Sequence, residues 1–249
     1  MPVQRTTAFV PVLLLALLVA CAQTSSPLAP PAASAQSAQA SRLAQWSVQY
    51  AALGEQGRVL RWDAAASQVR IHVYRGGRAE RLGHNHVITA PAFSGYGFVP
   101  AAAGALGPFD ALQGDIEVAL DALVVDPPAG EAAAAPTHGA ISPEAAAATR
   151  EHMLGQDGLQ AQAYPYVWLH VGPASGVLPL LAARVTMELH GRLQTWLLPL
   201  NVALEPGSVR VQGAFALRQS DFGVQPYTAL GGLLAVRDEL IVEFTLVGR

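Results

Sequence analysis

From about Val59 to the C-terminus, apolar residues recur at every second position, the period of a β-strand with one buried face. Val69, Ile71 and Val73 alternate with Arg70, His72 and Tyr74. Ile116, Val118 and Leu120 alternate with Asp115, Glu117, Ala119 and Asp121. Val185, Met187 and Leu189 alternate with Arg184, Thr186, Glu188 and His190. Val209, Val211 and Phe215 do so with Arg210, Gln212 and Arg218. Leu240, Val242, Phe244 and Leu246 complete the series, opposite Glu239, Glu243 and Thr245. With Val59–Trp62, His86–Phe98, Val167–Val171 and Thr195–Ala203, eight or nine strands are predicted. Arg75-Gly76-Gly77, His190-Gly191-Arg192 and Glu205-Pro206-Gly207-Ser208 supply reversals between them. A Pro/Ala/Gly connection, Pro127 to Pro136, precedes the one helix expected inside this region. Ser142 is its N-cap, Pro143 its first residue, and it runs to about Leu154. An antiparallel sheet with so little helix to cover it hides its apolar face by closing. The expectation is an all-β fold, an eight-stranded antiparallel barrel with one short helical insertion. A barrel of that size is either filled by side chains or holds one ligand.

The N-terminus carries a different signal. Arg5 precedes a nearly unbroken apolar run, Ala8 to Leu18, which Pro11 interrupts. That is the layout of an export signal, and the run is shorter than the roughly 20 residues needed to span a bilayer. It ends in Leu18-Val19-Ala20-Cys21, which resembles the lipobox of bacterial lipoproteins, where the cysteine becomes the acylated first residue. Cys21 is the only cysteine, so a chain acylated there forms no disulfide and uses neither thiol catalysis nor cysteine-bound zinc. The resemblance implies an exported protein held to the periplasmic face of a membrane through Cys21. Ala22 after the cysteine points to the outer membrane. Residues 1–21 are thus the signal, 22–45 an Ala/Ser/Pro/Gln-rich tether, and 46–249 the domain.

Net charge is −3, with fifteen Arg and no Lys. No basic stripe offers a path for nucleic acid. The Ala and Arg bias inflates the 51% hydrophobic content, so that content is no sign of membrane insertion. Asp221-Phe222-Gly223 has no accompanying glycine-rich or catalytic loop, and no serine sits in a nucleophile elbow. His84-Asn85-His86 lacks the dispersed residues of the nuclease motif with those letters. No enzyme activity is expected.

Several segments, in order, resemble the YceI family of exported bacterial proteins. They are Trp62-Asp63 with the Ser67–Val73 strand, Gly83-His84-Asn85-His86-Val87-Ile88 and Gly114-Asp115-Ile116-Glu117-Val118. Arg150, Met153 and Leu154 with Ala163-Tyr164-Pro165, then Glu188-Leu189-His190-Gly191 and Gln219-Ser220-Asp221-Phe222-Gly223-Val224, continue the likeness. The long Pro127–Pro136 connection and Arg192-Leu193-Gln194 depart from the family pattern. The resemblance implies a lipocalin-like barrel that binds a polyisoprenoid, or a similar amphiphile such as an isoprenoid quinone, without turnover. Val69, Ile71, Val73, Val118, Leu120, Val185, Met187, Leu189, Val211, Phe215 and Phe244 are the residues expected to line such a slot. Phe222 and Tyr227, on the loop between the last strands, are candidates to close one end or, equally, ordinary loop anchors. If no slot exists, the same side chains form a solid core and the domain is a ligandless envelope scaffold.

His84 and His86, two apart, would project to one face of a strand, as two imidazole ligands of a metal do. His72, Glu188 and His190 lie on strands whose register decides whether a third ligand approaches. The pair also suits the head group of an amphiphile, or loop backbone, because neutral imidazole both donates and accepts. The sequence leaves these three readings, and the oligomeric state, open.

Overall fold

The computed structural model describes residues 31–104, 106–128 and 141–249. Cys21, the signal and most of the Pro127–Pro136 connection lie outside them. Among the described residues, twelve strand segments form one antiparallel sheet. They are β1 (Gly57–Arg61), β2 (Gln68–Gly76), β3 (His86–Thr89), β4 (Ser94–Pro100), β5 (Gln113–Ala119), β6 (Val124–Val125), β7 (Tyr166–Val177), β8 (Leu180–Leu189), β9 (Arg192–Glu205), β10 (Ser208–Arg218), β11 (Thr228–Ala229) and β12 (Leu234–Gly248). α1 is Pro31–Ala51 and α2 is Pro143–Leu154.

The segments trace eight long strands. β1 pairs with β4 and β2 with β3, so β1–β2 is one strand broken by the 3-10 turn Ala64–Ala66. β4 pairs with β5 and β3 with β6, which makes β3–β4 and β5–β6 two more. β7, β8, β9, β10 and β12 follow as neighbours, and β12 pairs with β2. The last strand thus meets the first. Arg61 and Arg249 exchange backbone bonds of 2.6 and 2.9 Å, and Asp63 N–H donates to Val247 at 2.8 Å. The result is a lipocalin-like up-and-down barrel, with the eight strands that alternation implies.

Turn chemistry sets the register. At the β8–β9 hairpin His190 and Gly191 hold φ of 53° and 70°, the paired positive values of a two-residue I′ turn. Pro206-Gly207, with Gly207 at φ 80°, joins β9 to β10 as a type II turn would. Ser142 accepts from Ala145 N–H at 3.2 Å and caps α2 as predicted.

One expectation needs correction. The stretch read as tether through residue 45 is helical from Pro31, so the fold has two helices. The missed signal is the spacing of Gln39, Leu43, Trp46 and Tyr50, which lie on one helix face. That face covers the outer side of β4, β5 and β7. Tyr166 donates to Gln39 at 2.8 Å, and the Arg42 guanidinium stacks 3.6 Å over Trp168. Tyr50, 0% exposed, stacks on Tyr96 and donates to Asp115 at 2.7 Å.

Asp115 and Glu117 alternate outward, as the period requires, yet both are buried, on the side of the sheet that α1 covers. His170 donates to Asp115 at 2.8 Å and Trp168 to Glu117 at 2.6 Å. Burial, helped by the bond to Asp115, pushes the Tyr50 hydroxyl far above its ordinary value and keeps it a donor. The bond to Asp115 raises His170. A raised histidine stabilises the fold fully below its unfolded value, about 6.5, and the gain is lost as pH rises through the folded value. The thermal midpoint of wild type should therefore exceed that of His170→Gln below about pH 6.5, and the gap should narrow as pH rises above it. A gap that widens with pH would contradict this linkage.

Candidate functional site

The inward residues of the barrel do not fill it. A cavity of about 390 Å³ runs along its axis, within the roughly 300–1,000 Å³ range of small-molecule sites. Val69, Ile71 and Val73 of β2, Val118 of β5 and Leu120 just past it form one wall. Val185, Met187 and Leu189 of β8, Val211 and Phe215 of β10 and Phe244 of β12 form the other. Every wall residue expected from alternation borders the cavity. Leu120 does so from the 3-10 turn Leu120–Ala122 rather than from the strand.

One end is closed. There Leu60, Val99, Ala183, Leu200 and Val209 pack with Phe109 into the largest apolar cluster. The lining residues that are exposed, His152, Asp157, Gln225 and Tyr227, all lie at the other end, beside α2. That end is the mouth. His152 and Tyr227 face each other across 4.9 Å between ring centres, so Tyr227 stands at the end it was expected to close.

Phe222 does not. It is 0% exposed and absent from the lining, because the 3-10 turn Gln219–Phe222 after β10 tucks its ring behind the wall, 6.1 Å from Trp196. Its carbonyl accepts from His190 Nδ1 at 3.1 Å. Phe222 is a core anchor.

The two histidines also separate. β3 begins at His86, so His84 precedes the strand, is exposed and does not border the cavity. His72 pairs outward with Glu243 at 3.4 Å, and His190 is held by Phe222. Among the described residues, no three His, Cys, Asp or Glu side chains stand close enough to hold a metal. The shared-face geometry required for a metal pair is not met.

His86 lines the cavity, with its Nδ1 2.6 Å from Asp126 Oδ2. The other Asp126 oxygen accepts from Val87 N–H at 2.9 Å. Asp126 holds φ of 48°, a left-handed value that Asp tolerates better than most residues. An imidazole that donates Nδ1–H to a carboxylate leaves its Nε2 lone pair free to accept. Asp126 was missed because 38 residues of chain part it from Val87 and no local pattern links them. His152, Thr149 and Asp157 were missed because the alanine-rich α2 shows no continuous apolar stripe that would seat it over the barrel. Only Met153 and Leu154, in its last turn, pack on the Leu120, Leu123 and Val125 cluster, and Arg150 adds bonds to the carbonyls of Leu123 and Asp121 at 3.3 and 2.6 Å.

No family model matches the chain, and no curated protein matches it in sequence. Solved structures do. Burkholderia cenocepacia BcnA superposes with a TM-score of 0.52 at 16% identity, over 75% of this chain and 98% of its own. A polyisoprenoid-binding domain from Saccharophagus degradans, implicated in plant cell wall breakdown, gives 0.50 at 14% identity, over 76% and 97%. The likeness is one of fold, the antiparallel barrel that this chain shares with those two proteins. The axial cavity, the α2 mouth and the eight-strand closure are therefore carried on that architecture, and the outer α1 packs onto its wall.

Proposed function

We propose that the barrel binds a polyisoprenoid or similar amphiphilic lipid without turning it over. The tail lies along the cavity and the head group sits at the α2 mouth. The single observation that carries this reading is the apolar cavity of about 390 Å³, opening beside polar side chains at one end only. Burial of a hydrocarbon tail supplies the affinity, at about 0.8 kcal/mol per methylene. The binding properties of the Saccharophagus domain support the assignment to an isoprenoid. An unfilled interior also weighs against a ligandless scaffold.

His86 sets the head-group preference. With Nδ1 turned to Asp126, its Nε2 is the ring atom left to meet a head group, and as an acceptor it suits a prenyl hydroxyl better than a quinone carbonyl. Delipidated protein titrated with a polyprenol and with the same chain lacking its hydroxyl tests this. His86→Phe should weaken the alcohol about tenfold and leave the hydrocarbon unchanged. Failure of both ligands to saturate would remove the lipid reading itself.

The reading places the protein in the periplasm, held to the outer membrane through acylated Cys21. Mass analysis of the chain as processed by its host, with and without Cys21→Ala, tests the anchor. Loss of the acyl mass in the variant is the expected result.

A further inference from the structure

We propose that the mouth end of the barrel is a bilayer-docking surface, so that the cavity opens onto the membrane from which it takes its lipid. The proposal rests on the lipid-binding reading for its purpose and on the following placement for its geometry.

Four large apolar side chains are exposed around the mouth. Leu82 is 71% exposed, Leu230 65%, Leu233 48% and Tyr227 46%. They belong to one surface. Ala79 N–H donates to Leu233 at 2.9 Å, which joins the loop bearing Leu82 to the loop bearing Leu230 and Leu233. Val236 N–H donates to Tyr227 at 2.9 Å, which ties that loop to the mouth residue facing His152. Leu230 reaches solvent from a left-handed backbone with φ 52°, followed by Gly231 and Gly232 at positive φ. Such a value is uncommon for leucine and strained. The loop holds its leucines outward instead of folding them onto the wall.

The chain also approaches from this side. Gln39 of α1 meets Tyr166, the first residue of β7, next to the mouth segment that ends at Pro165. Tyr50 meets Asp115, which pairs with His170 four residues down β7. α1 therefore descends from the mouth toward the closed end. Its first eight residues extend about 12 Å past Gln39 on the mouth side at 1.5 Å per residue. Cys21 stands ten residues before Pro31, within at most about 35 Å of chain. An anchor there holds the mouth, not the closed end, to the bilayer. Leucines and a tyrosine of this kind insert at the boundary between head groups and acyl chains, and the acylated cysteine gains a second attachment from them.

The test uses the full chain as exported and processed by its host, in vesicles of phosphatidylethanolamine and phosphatidylglycerol. With Cys21 acylated, a cysteine introduced as Leu230→Cys or as Leu180→Cys at the opposite end is the one free thiol. Each takes a solvent-sensitive fluorophore, and nitroxide-labelled lipids serve as quencher. Quenching severalfold stronger at position 230 than at 180 is expected. Equal quenching, or stronger quenching at 180, overturns the proposal. So does a label at 230 that responds to protein concentration without vesicles, which would mean that the patch pairs two copies of the chain. The mass of the purified chain reports separately on Cys21, and lipid extraction on the cavity. Failure of either reading is thus distinguishable from failure of the docking surface, which an unacylated chain would still show on addition of vesicles.

Discussion

Ala183→Trp is expected to strip the barrel of long-chain lipid while leaving it folded. Ala183 is fully buried on β8, lines the cavity and belongs to the cluster at its closed end. The indole projects into a space of about 390 Å³, and the cavity gives it room that a packed core would not. Displacing even four methylenes of a bound tail forfeits about 3 kcal/mol, which is more than about a hundredfold in affinity. Since the indole occupies the deep end, tails too short to reach it should bind unchanged. Circular dichroism and thermal melting check the fold, and titration with prenols of increasing length checks the rest. A uniform loss at all lengths, or no loss, would contradict an axial tail.

Tyr50→Ala is expected to cost about 3–5 kcal/mol in denaturant unfolding, the range for emptying a buried aromatic site. Two effects add. The ring is 0% exposed and stacks on Tyr96, so its loss leaves a hole between α1 and the sheet. Its hydroxyl is one of two side-chain donors to Asp115, which is 6% exposed, and a buried acceptor deprived of a partner costs further. Tyr50→Phe separates the terms and should cost about 1–2 kcal/mol. An unfolding midpoint unchanged by Tyr50→Ala would mean that α1 contributes nothing to the barrel.

The barrel was legible because alternation is a strong constraint. Once Val69, Ile71 and Val73 face inward, a one-residue slip would expose all three, so register follows from pattern. The breaks at Ala64–Ala66 and Leu120–Ala122 did not disturb it, since the strands resume with the same face inward. The wall of the site was legible for the same reason. Its polar mouth was not. Asp126 reaches His86 from the end of the neighbouring strand, and Arg150 ties α2 to backbone carbonyls, contacts that leave no periodic trace. His84 shows the opposite failure, since two-residue spacing carries meaning only inside a strand, and β3 starts two residues later. α1 was missed because Ala, Ser and Gln dominate its first half and read as linker. The aromatic and apolar positions that fix it come late, at Leu43, Trp46 and Tyr50.

The most direct measurement is organic extraction of the exported chain, produced without its acyl anchor so that it is purified free of detergent, with mass spectrometry of the extract against protein concentration. One amphiphilic lipid per barrel is the expected result, with an isoprenoid tail and a hydroxyl-bearing head. A barrel that yields no stoichiometric lipid, and takes none up when offered prenols, would contradict the account.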